Sequence, residues 1–232
     1  MVRPTRKKQI QNLQEVIRET AWSQIAMEGA PALSLRAIAR ELNITAPAIY
    51  NYFPSRDDLV TALIVDAFTS LGDSQMDSIK SIPVGKPEKR LSTLGLAYHQ
   101  WALTYPQRYQ LIFGTPIPNY EAPPDITLPA AAWALIPLIE TLQTLYEVDK
   151  LRVENLAKLT PALKSMLGAW QEFVKGSGME VHIEVLYLAF VIWSRVHGLV
   201  TLELGHQTPS FITNPGEIFR REIESIQKQY LS

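Results

Sequence analysis

Apolar side chains recur every three or four residues along most of the chain, which is the spacing of an amphipathic α-helix. No stretch sustains the alternation of apolar and polar residues that marks a half-buried β-strand. The pattern predicts an all-α protein with helices over 5–29, 35–42, 46–53, 55–81, 87–104, 106–113, 130–148, 150–176, 179–204 and 215–230. Five prolines predict an irregular loop over 114–129, and Pro161 is expected to kink or split the helix 150–176.

Three short elements near the N-terminus carry the strongest local signals. Ser34, Thr45 and Ser55 each stand just before a helical pattern, where a hydroxyl can accept a hydrogen bond from a free backbone N–H. They predict caps for the helices 35–42 and 46–53 and for the long helix that follows. Two capped helices joined by a short turn have the layout of a helix-turn-helix. Such a unit places its second helix in the major groove of DNA while the first crosses the backbone.

The apolar positions of these helices are sufficient for a small interior. They are Leu35, Ile38, Ala39, Leu42, Ile44, Ile49 and Phe53, supported from the first helix by Ile17, Trp22 and Ile25. We therefore expect a DNA-binding domain over residues 1–56. Residues 57–232 are expected to form a larger helical domain, with the helix 55–81 as the connection between the two.

The charge distribution agrees with a nucleic-acid partner at one end only. The net charge of the 232 residues is −1, but residues 1–56 carry +4 and the remainder carries −5. A basic end favours contact with a polyanion through that end. Arg3, Arg6, Lys7 and Lys8 are expected to form a basic arm that follows the DNA backbone or a minor groove, although a solvated tail fits them equally well.

The helix-turn-helix residues closely resemble the TetR family of repressors. The match runs over residues 5–70 and is strongest in the segments Ser34-Leu-Arg-x-Ile-Ala-Arg, Ile44-Thr, Ile49-Tyr-x-Tyr-Phe and Ser55-Arg. Tyr52 stands where the family commonly has His, and Arg56 where it commonly has Lys. The resemblance implies a transcriptional regulator that binds double-stranded DNA at a palindromic operator.

Nine residues are candidates for DNA contact on this basis: Ser34, Arg36, Thr45, Ala46, Pro47, Tyr50, Asn51, Tyr52 and Arg56. Those on the outer face or leading edge of the second helix, Thr45, Ala46, Pro47, Tyr50 and Asn51, are expected to face the groove. Phosphate contacts suit Ser34, Tyr50, Tyr52 and Arg56. Arg36 could reach a phosphate or a guanine edge. Because residues 46–53 include no charged side chain, sequence reading is expected to depend on thymine methyl groups and on DNA shape.

The C-terminal part resembles the WHG type of regulatory domain found in some TetR-like proteins, through Trp193-Ser-Arg-Val-His-Gly and the segment 98–118. The resemblance implies a ligand pocket lined by Trp101, Tyr105, Tyr109, Phe113, Trp133, Trp170, Trp193 and His197. Aromatic residues at helical spacing also fit a closed core. Gly198, inside a long apolar helix, fits either tight helix packing or the close approach of a ligand.

The family resemblance implies a homodimer, for which the last two helices, 179–204 and 215–230, offer the surface. We expect a repressor that a small, mostly apolar ligand releases from its operator. The alternative is a regulator without an effector, whose C-terminal domain only dimerises. A closed C-terminal core would favour that alternative, and an aromatic cavity would favour a sensor.

Other classes of protein are disfavoured by what the sequence lacks. It has no cysteine, its four histidines are scattered, and it shows no metalloprotease motif, nucleophile elbow or glycine-rich phosphate loop. An enzyme, a bound cofactor and a metal site are therefore not expected. No apolar run is expected to span a bilayer, which favours a cytoplasmic protein without membrane contact.

Overall fold

The computed structural model describes residues 12–153, 158–176 and 178–232. Over these ranges the chain forms ten α-helices and no β-strand beyond one bridge between Leu151 and Leu231, so the predicted all-α class is confirmed. The helices are α1 Leu13–Glu28, α2 Leu35–Glu41, α3 Ala46–Tyr50, α4 Arg56–Ile79, α5 Pro87–Thr104, α6 Pro106–Phe113, α7 Pro124–Glu147, α8 Pro161–Gly176, α9 Ile183–Leu204 and α10 Pro215–Tyr230. The basic arm, Arg3, Arg6, Lys7 and Lys8, lies outside the described residues.

The helices are grouped into two compact units. Of the described residues, those within 12–66 and 107–127 form the first unit, and those within 67–106 and 128–232 form the second. The helix α4 contributes its first half to one unit and its second half to the other. The helix α6 and the loop that follows it belong to the first unit, with the helix-turn-helix.

In the first unit α1, α2 and α3 pack around the interior that the sequence predicts. Ile17, Ile38 and Ile49 are fully buried, and Leu35 and Phe53 are nearly so. The remaining buried members are Ala39 and Ile25, whereas Leu42, Ile44 and Trp22 are partly exposed. The apolar pattern therefore identifies the centre of this unit correctly.

Two of the three predicted caps form. Ser34 Oγ accepts from the Ala37 N–H, and Ser55 Oγ accepts from the Asp58 N–H. The expected cap by the Thr45 side chain is wrong. A capping oxygen accepts from the second or third residue of the helix. The second residue of α3, Pro47, has no N–H, and the N–H of the third, Ala48, donates to the Thr45 backbone carbonyl at 2.9 Å instead.

The recognition helix is also shorter than predicted. The helix α3 ends at Tyr50 rather than at residue 53. The N–H groups of Tyr52 and Phe53 both turn back to the Ile49 carbonyl. Because Pro54 disfavours helical geometry in the residue before it, the helix does not continue through Phe53. The next helix, α4, begins two residues after Pro54.

The turn between α2 and α3 depends on one residue with left-handed backbone geometry. Asn43 has a φ of +52°, and the next N–H, of Ile44, bonds to the Ala39 carbonyl at 3.0 Å, which closes α2. We expect Asn43→Ala to lower the free energy of unfolding by about 1 kcal/mol, because a Cβ-bearing residue without a local polar partner disfavours this geometry. Urea unfolding measures the loss. Asn43→Gly serves as the control and should be at least as stable as the wild type.

The second unit corrects two predicted boundaries. The loop expected over 114–129 ends early, because α7 begins at Pro124 and contains Pro129 and Pro137. Proline is favoured at the first position of a helix, where its missing N–H has no partner to lose. The helix predicted over 150–176 begins only at Pro161, as α8, because the described residues 150–153 and 158–160 are not α-helical.

The core of the second unit is built around α9. It packs against α5, α8 and α10, and α5 also packs against α10. Val185, Leu186 and Val200 of α9 are fully buried, as is Phe219 of α10 to within 1 % of its surface.

By length and hydropathy alone, the expectation that no apolar run could span a bilayer is wrong. The helices α7 and α9 are both long and apolar enough to cross a bilayer. Buried core helices of soluble proteins meet the same criterion, so this property is weak evidence for a membrane. In this fold α9 is the helix against which three others pack.

Candidate DNA interface and regulatory core

The candidate recognition helix presents polar and small side chains to the surface. Tyr50 and Tyr52 are 42 % and 45 % exposed, and Thr45, Pro47 and Asn51 are exposed beside them. Ala46 is partly exposed. The buried side chains of Ile49 and Phe53 anchor this surface to the interior. The arrangement leaves two phenol hydroxyls and one amide available for a ligand.

The helix α2 adds a cation to the same unit. Arg36 is exposed in the first turn of α2. Ser34, which precedes it, has its hydroxyl oxygen 3.4 Å from the Ala37 N–H, so this side chain serves as a cap. Its own backbone N–H donates to Gln24 Oε1 at 3.4 Å. A phosphate contact by Ser34 therefore stays a prediction. The same hydroxyl would have to accept the capping bond and donate to the phosphate.

Arg56 is placed differently from the other candidates. Its Nε donates to the Leu33 carbonyl at 3.2 Å, and its Nη2 donates to the carbonyls of Ala30 and Pro31, also at 3.2 Å. The remaining Nη1 lies 3.4 Å from the Asp57 carboxylate. The guanidinium thus donates hydrogen bonds to three carbonyls of the segment that leads into α2. A phosphate contact by Arg56 stays a prediction, and the structure gives this side chain an internal role.

Sequence reasoning missed that α6 and the following loop support the DNA-binding unit. The Tyr120 hydroxyl lies 2.9 Å from the Thr61 hydroxyl of α4, and burial raises the pKa of Tyr120. The Arg108 guanidinium lies over the Trp22 ring of α1, 5.2 Å from its centroid. Contacts between residues this distant in sequence leave no local pattern by which they could be predicted.

An ion pair joins α1 to α4 in the same unit. Arg18 Nη1 lies 3.3 Å from Asp66, and Nη2 lies 2.7 Å from Glu15. Burial raises the pKa of Asp66, although the neighbouring Arg18 acts in the opposite direction. The pair fixes α1 beside the first half of α4, which is the position that supports the helix-turn-helix.

In the second unit the predicted ligand residues of α5 and α7 have partners of their own. The buried Trp101 donates its indole N–H to Ser70 Oγ at 3.0 Å. Trp133 donates its indole N–H to Asp73 at 2.9 Å. Both partners lie on the second half of α4. These two indoles therefore attach α4 to its neighbours in the unit.

The histidine of the C-terminal motif is also engaged. His197 Nδ1 lies 2.8 Å from the Tyr98 hydroxyl, and its ring lies 4.8 Å from that of Trp193. Burial lowers the pKa of His197, which favours its neutral form. A second histidine that sequence reasoning missed, His99, lies 2.7 Å from Glu203. Both pairs join α5 to α9.

The other predicted ligand residues are more dispersed. Tyr109 and Phe113 belong to the first unit, where their rings lie 5.2 Å apart. Tyr105 is 40 % exposed. Trp170 lines a cavity of about 20 Å³ between α7 and α8, with apolar neighbours that include Leu135, Ile139 and Phe173. The predicted set therefore does not converge on that cavity, although one of its members lines it.

These observations define a class of protein. A capped helix-turn-helix with an exposed, uncharged second helix, followed by a larger helical unit, is the architecture of a DNA-binding regulator. Comparison with known families identifies which one. Residues 17–63 match the model for bacterial regulatory proteins of the tetR family, and residues 91–226 match the model for the tetracyclin repressor-like C-terminal domain. The chain belongs to the TetR family of DNA-binding transcriptional regulators.

Relatives of known sequence or structure agree with this assignment. The chain is 30 % identical over 210 residues to the HTH-type transcriptional regulator Rv1816 of Mycobacterium tuberculosis, covering 90 % of this chain and 88 % of the relative. The crystal structure of a regulatory protein, SCO4313, is 34 % identical with a TM-score of 0.74 and covers 93 % of this chain and 95 % of its own. A regulator from Saccharomonospora viridis, solved in complex with choline, shares the fold with a TM-score of 0.66 at 16 % identity, covering 95 % of this chain and 98 % of its own.

Proposed function

We propose that this regulator is a cytoplasmic, homodimeric repressor that binds a palindromic operator and that a small, mostly apolar ligand releases it. The observation that carries the DNA-binding part is the exposed surface of α3, held in place by the buried Ile49 and Phe53. Selection of bound duplexes from a random pool tests this part directly. A two-fold symmetric site with half-sites about one helical turn apart is the expected product.

The recognition surface predicts a selective loss on truncation of one side chain. We expect Tyr50→Ala to weaken operator binding about tenfold, in line with the loss of about 1–3 kcal/mol for one contact, because the exposed phenol has DNA as its partner. Stability should stay near the wild-type value, since Tyr50 lies at the surface. Fluorescence anisotropy with the selected operator measures the affinity.

Met27→Ala is the matched control, because Met27 is an exposed side chain of α1 in the same unit. It should leave the affinity unchanged. A double variant, Tyr50→Ala with Asn51→Ala, that kept wild-type affinity would rule out α3 as the recognition helix.

The dimer surface that we propose involves α8 and α9. Met166 and Phe173 of α8 are 65 % and 43 % exposed, and Phe190 of α9 is 54 % exposed. Between Glu184 and Glu203, α9 has a single charged residue, Arg195, which pairs with Glu222 of α10. An apolar surface of this kind favours burial against a second copy.

The sequence favoured α9 with α10 for this role, but the exposed face of α10 is strongly charged. Its exposed residues include Glu217, Arg220, Arg221, Glu224 and Lys228. Two ion pairs, Arg220 with Glu217 and Arg221 with Glu224, form along that face. Charged residues are depleted from the centres of dimer interfaces, so we assign α10 to the solvent and α8 to the interface.

For the effector we propose the apolar contact between α7 and α8 that Trp170 lines. Its cavity of about 20 Å³ is smaller than a ligand, so binding must separate the two helices. The choline complex of the Saccharomonospora viridis protein supports a small-molecule effector in this architecture. A ligand that binds without altering operator affinity would exclude release by this route.

A second candidate function, a regulator without an effector, is favoured by the engaged aromatic side chains. Trp101, Trp133 and His197 each have a hydrogen-bond partner in the second unit. Side chains that are already satisfied favour a closed core over a pocket. Thermal unfolding against a ligand library separates the two functions, because only a sensor gains stability from a ligand.

A further inference from the structure

The second half of α4 is fixed against the middle of α7 by three neighbouring contacts. Trp133 donates to Asp73, and Gln75 Nε2 donates to the Ala134 carbonyl at 2.8 Å within the core. A Cβ added at Gly72 would lie 2.3 Å from Trp133 Cδ1, so the α4 backbone itself touches the indole. We call these five residues the α4–α7 seat.

The seat lies one turn before Pro137, a proline inside α7. Pro137 has no N–H to donate to the Trp133 carbonyl, and a proline ring inside a helix crowds the carbonyl four residues before it. The Ala134 carbonyl belongs to that turn. Gln75, which is 5 % exposed, supplies it with a donor from another helix. The buried amide therefore adds a donor from α4 in the turn of α7 where the proline removes a backbone donor.

We propose that Gln75 is a positioning residue for operator binding, which it affects by holding α4 in the α4–α7 seat. The helix α4 runs without a break from Arg56 to Ile79, and its residues up to Asp66 belong to the first unit, with the helix-turn-helix. A change of α7 at this turn therefore acts on a helix that also contributes residues to the first unit. This inference rests on the proposed function, because its effect is measured as a change in affinity for the operator.

The decisive variant is Gln75→Glu, measured as a function of pH. When protonated, the introduced carboxyl can still donate to the Ala134 carbonyl, whereas the ionised form places a negative charge against that carbonyl. Burial raises the pKa of such a carboxyl, so the protonated form persists at mildly acidic pH. We expect the operator dissociation constant to match the wild type at low pH and to rise at least about threefold as pH increases.

Gln75→Met gives the same test without a titrating group, and it should weaken operator binding about threefold or more at every pH. Gln143→Met is the matched control. Gln143 is a similarly buried glutamine, it makes two hydrogen bonds, and it lies on α7 away from α4. The control should lose stability to a similar extent and keep its operator affinity.

The outcomes separate this inference from the function on which it rests. If the wild-type protein selects no DNA from the random pool, the proposed function fails. If the wild type binds and both Gln75 variants follow the Gln143 control, with no pH-dependent difference from it, the positioning role is overturned. If Gln75→Met does not fold, the pH profile of Gln75→Glu decides.

Discussion

Arg56→Ala is expected to lower the free energy of unfolding by about 2 kcal/mol, a large fraction of the stability of a small domain. Its guanidinium donates to the carbonyls of Ala30, Pro31 and Leu33, which form the segment between α1 and α2. Removing the side chain leaves three carbonyls without this donor. Chemical unfolding with urea, followed by circular dichroism, measures the difference.

The same variant distinguishes the internal role from a phosphate contact. A lost phosphate contact reduces the dependence of log K on log salt by about one unit and leaves the fold intact. We expect the slope to change by less than that, because the donors of Arg56 point to carbonyls. Arg56→Lys is the informative companion, since a single ammonium cannot reproduce the fork and should recover only part of the stability.

A result with unchanged stability and a salt slope lower by about one unit would assign Arg56 to the DNA backbone instead. The electrostatic contact would then depend on a rearrangement of the guanidinium when DNA binds. Arg36, which is exposed on α2, provides the comparison. Arg36→Ala should reduce the slope without a loss of stability in either case.

Arg56 and Thr45 show why the local sequence predicts some roles in this unit and not others. The periodic apolar residues and the Ser34 and Ser55 caps are local signals, and the structure contains them as predicted. The Thr45 cap fails although its signal is also local, because Pro47 has no N–H and the Ala48 N–H donates to the Thr45 backbone carbonyl instead. The carbonyl partners of Arg56 lie 23 to 26 residues away, and no local pattern reports them.

In the second unit too, the local sequence does not distinguish between two possible roles of the same side chains. The sequence identifies Trp101, Trp133 and His197 as aromatic residues at helical spacing, a pattern that fits a pocket and a packed core equally. Their hydrogen bonds to Ser70, Asp73 and Tyr98 favour packing, because each partner comes from another helix. The sequence pattern misses the start of α7 because prolines usually indicate a loop, whereas Pro124 occupies a first helical position that tolerates it.

The proposed dimer surface gives the prediction with the largest expected effect. Gly198 lies on α9, and a Cβ added to it would meet no atom within 4 Å of the same chain. A larger side chain is therefore tolerated by the folded protomer, and replacing glycine inside a helix favours helix formation. If α9 faces a second copy, as its apolar surface indicates, the same side chain meets that copy.

Gly198→Glu should accordingly give a stable monomer in light scattering, with operator affinity reduced by about a hundredfold or more. The reduction follows because two linked heads bind with an avidity about 10²- to 10⁴-fold above that of one head. Two glutamates introduced across a two-fold axis also repel each other in an apolar interface. Gly85→Glu adds the same charge at another open position, in the α4–α5 loop, and should remain a dimer with wild-type affinity. If Gly198→Glu also remained a dimer that bound the operator normally, Gly198 would lie outside the interface, and the charged surface of α10 would be the next to test.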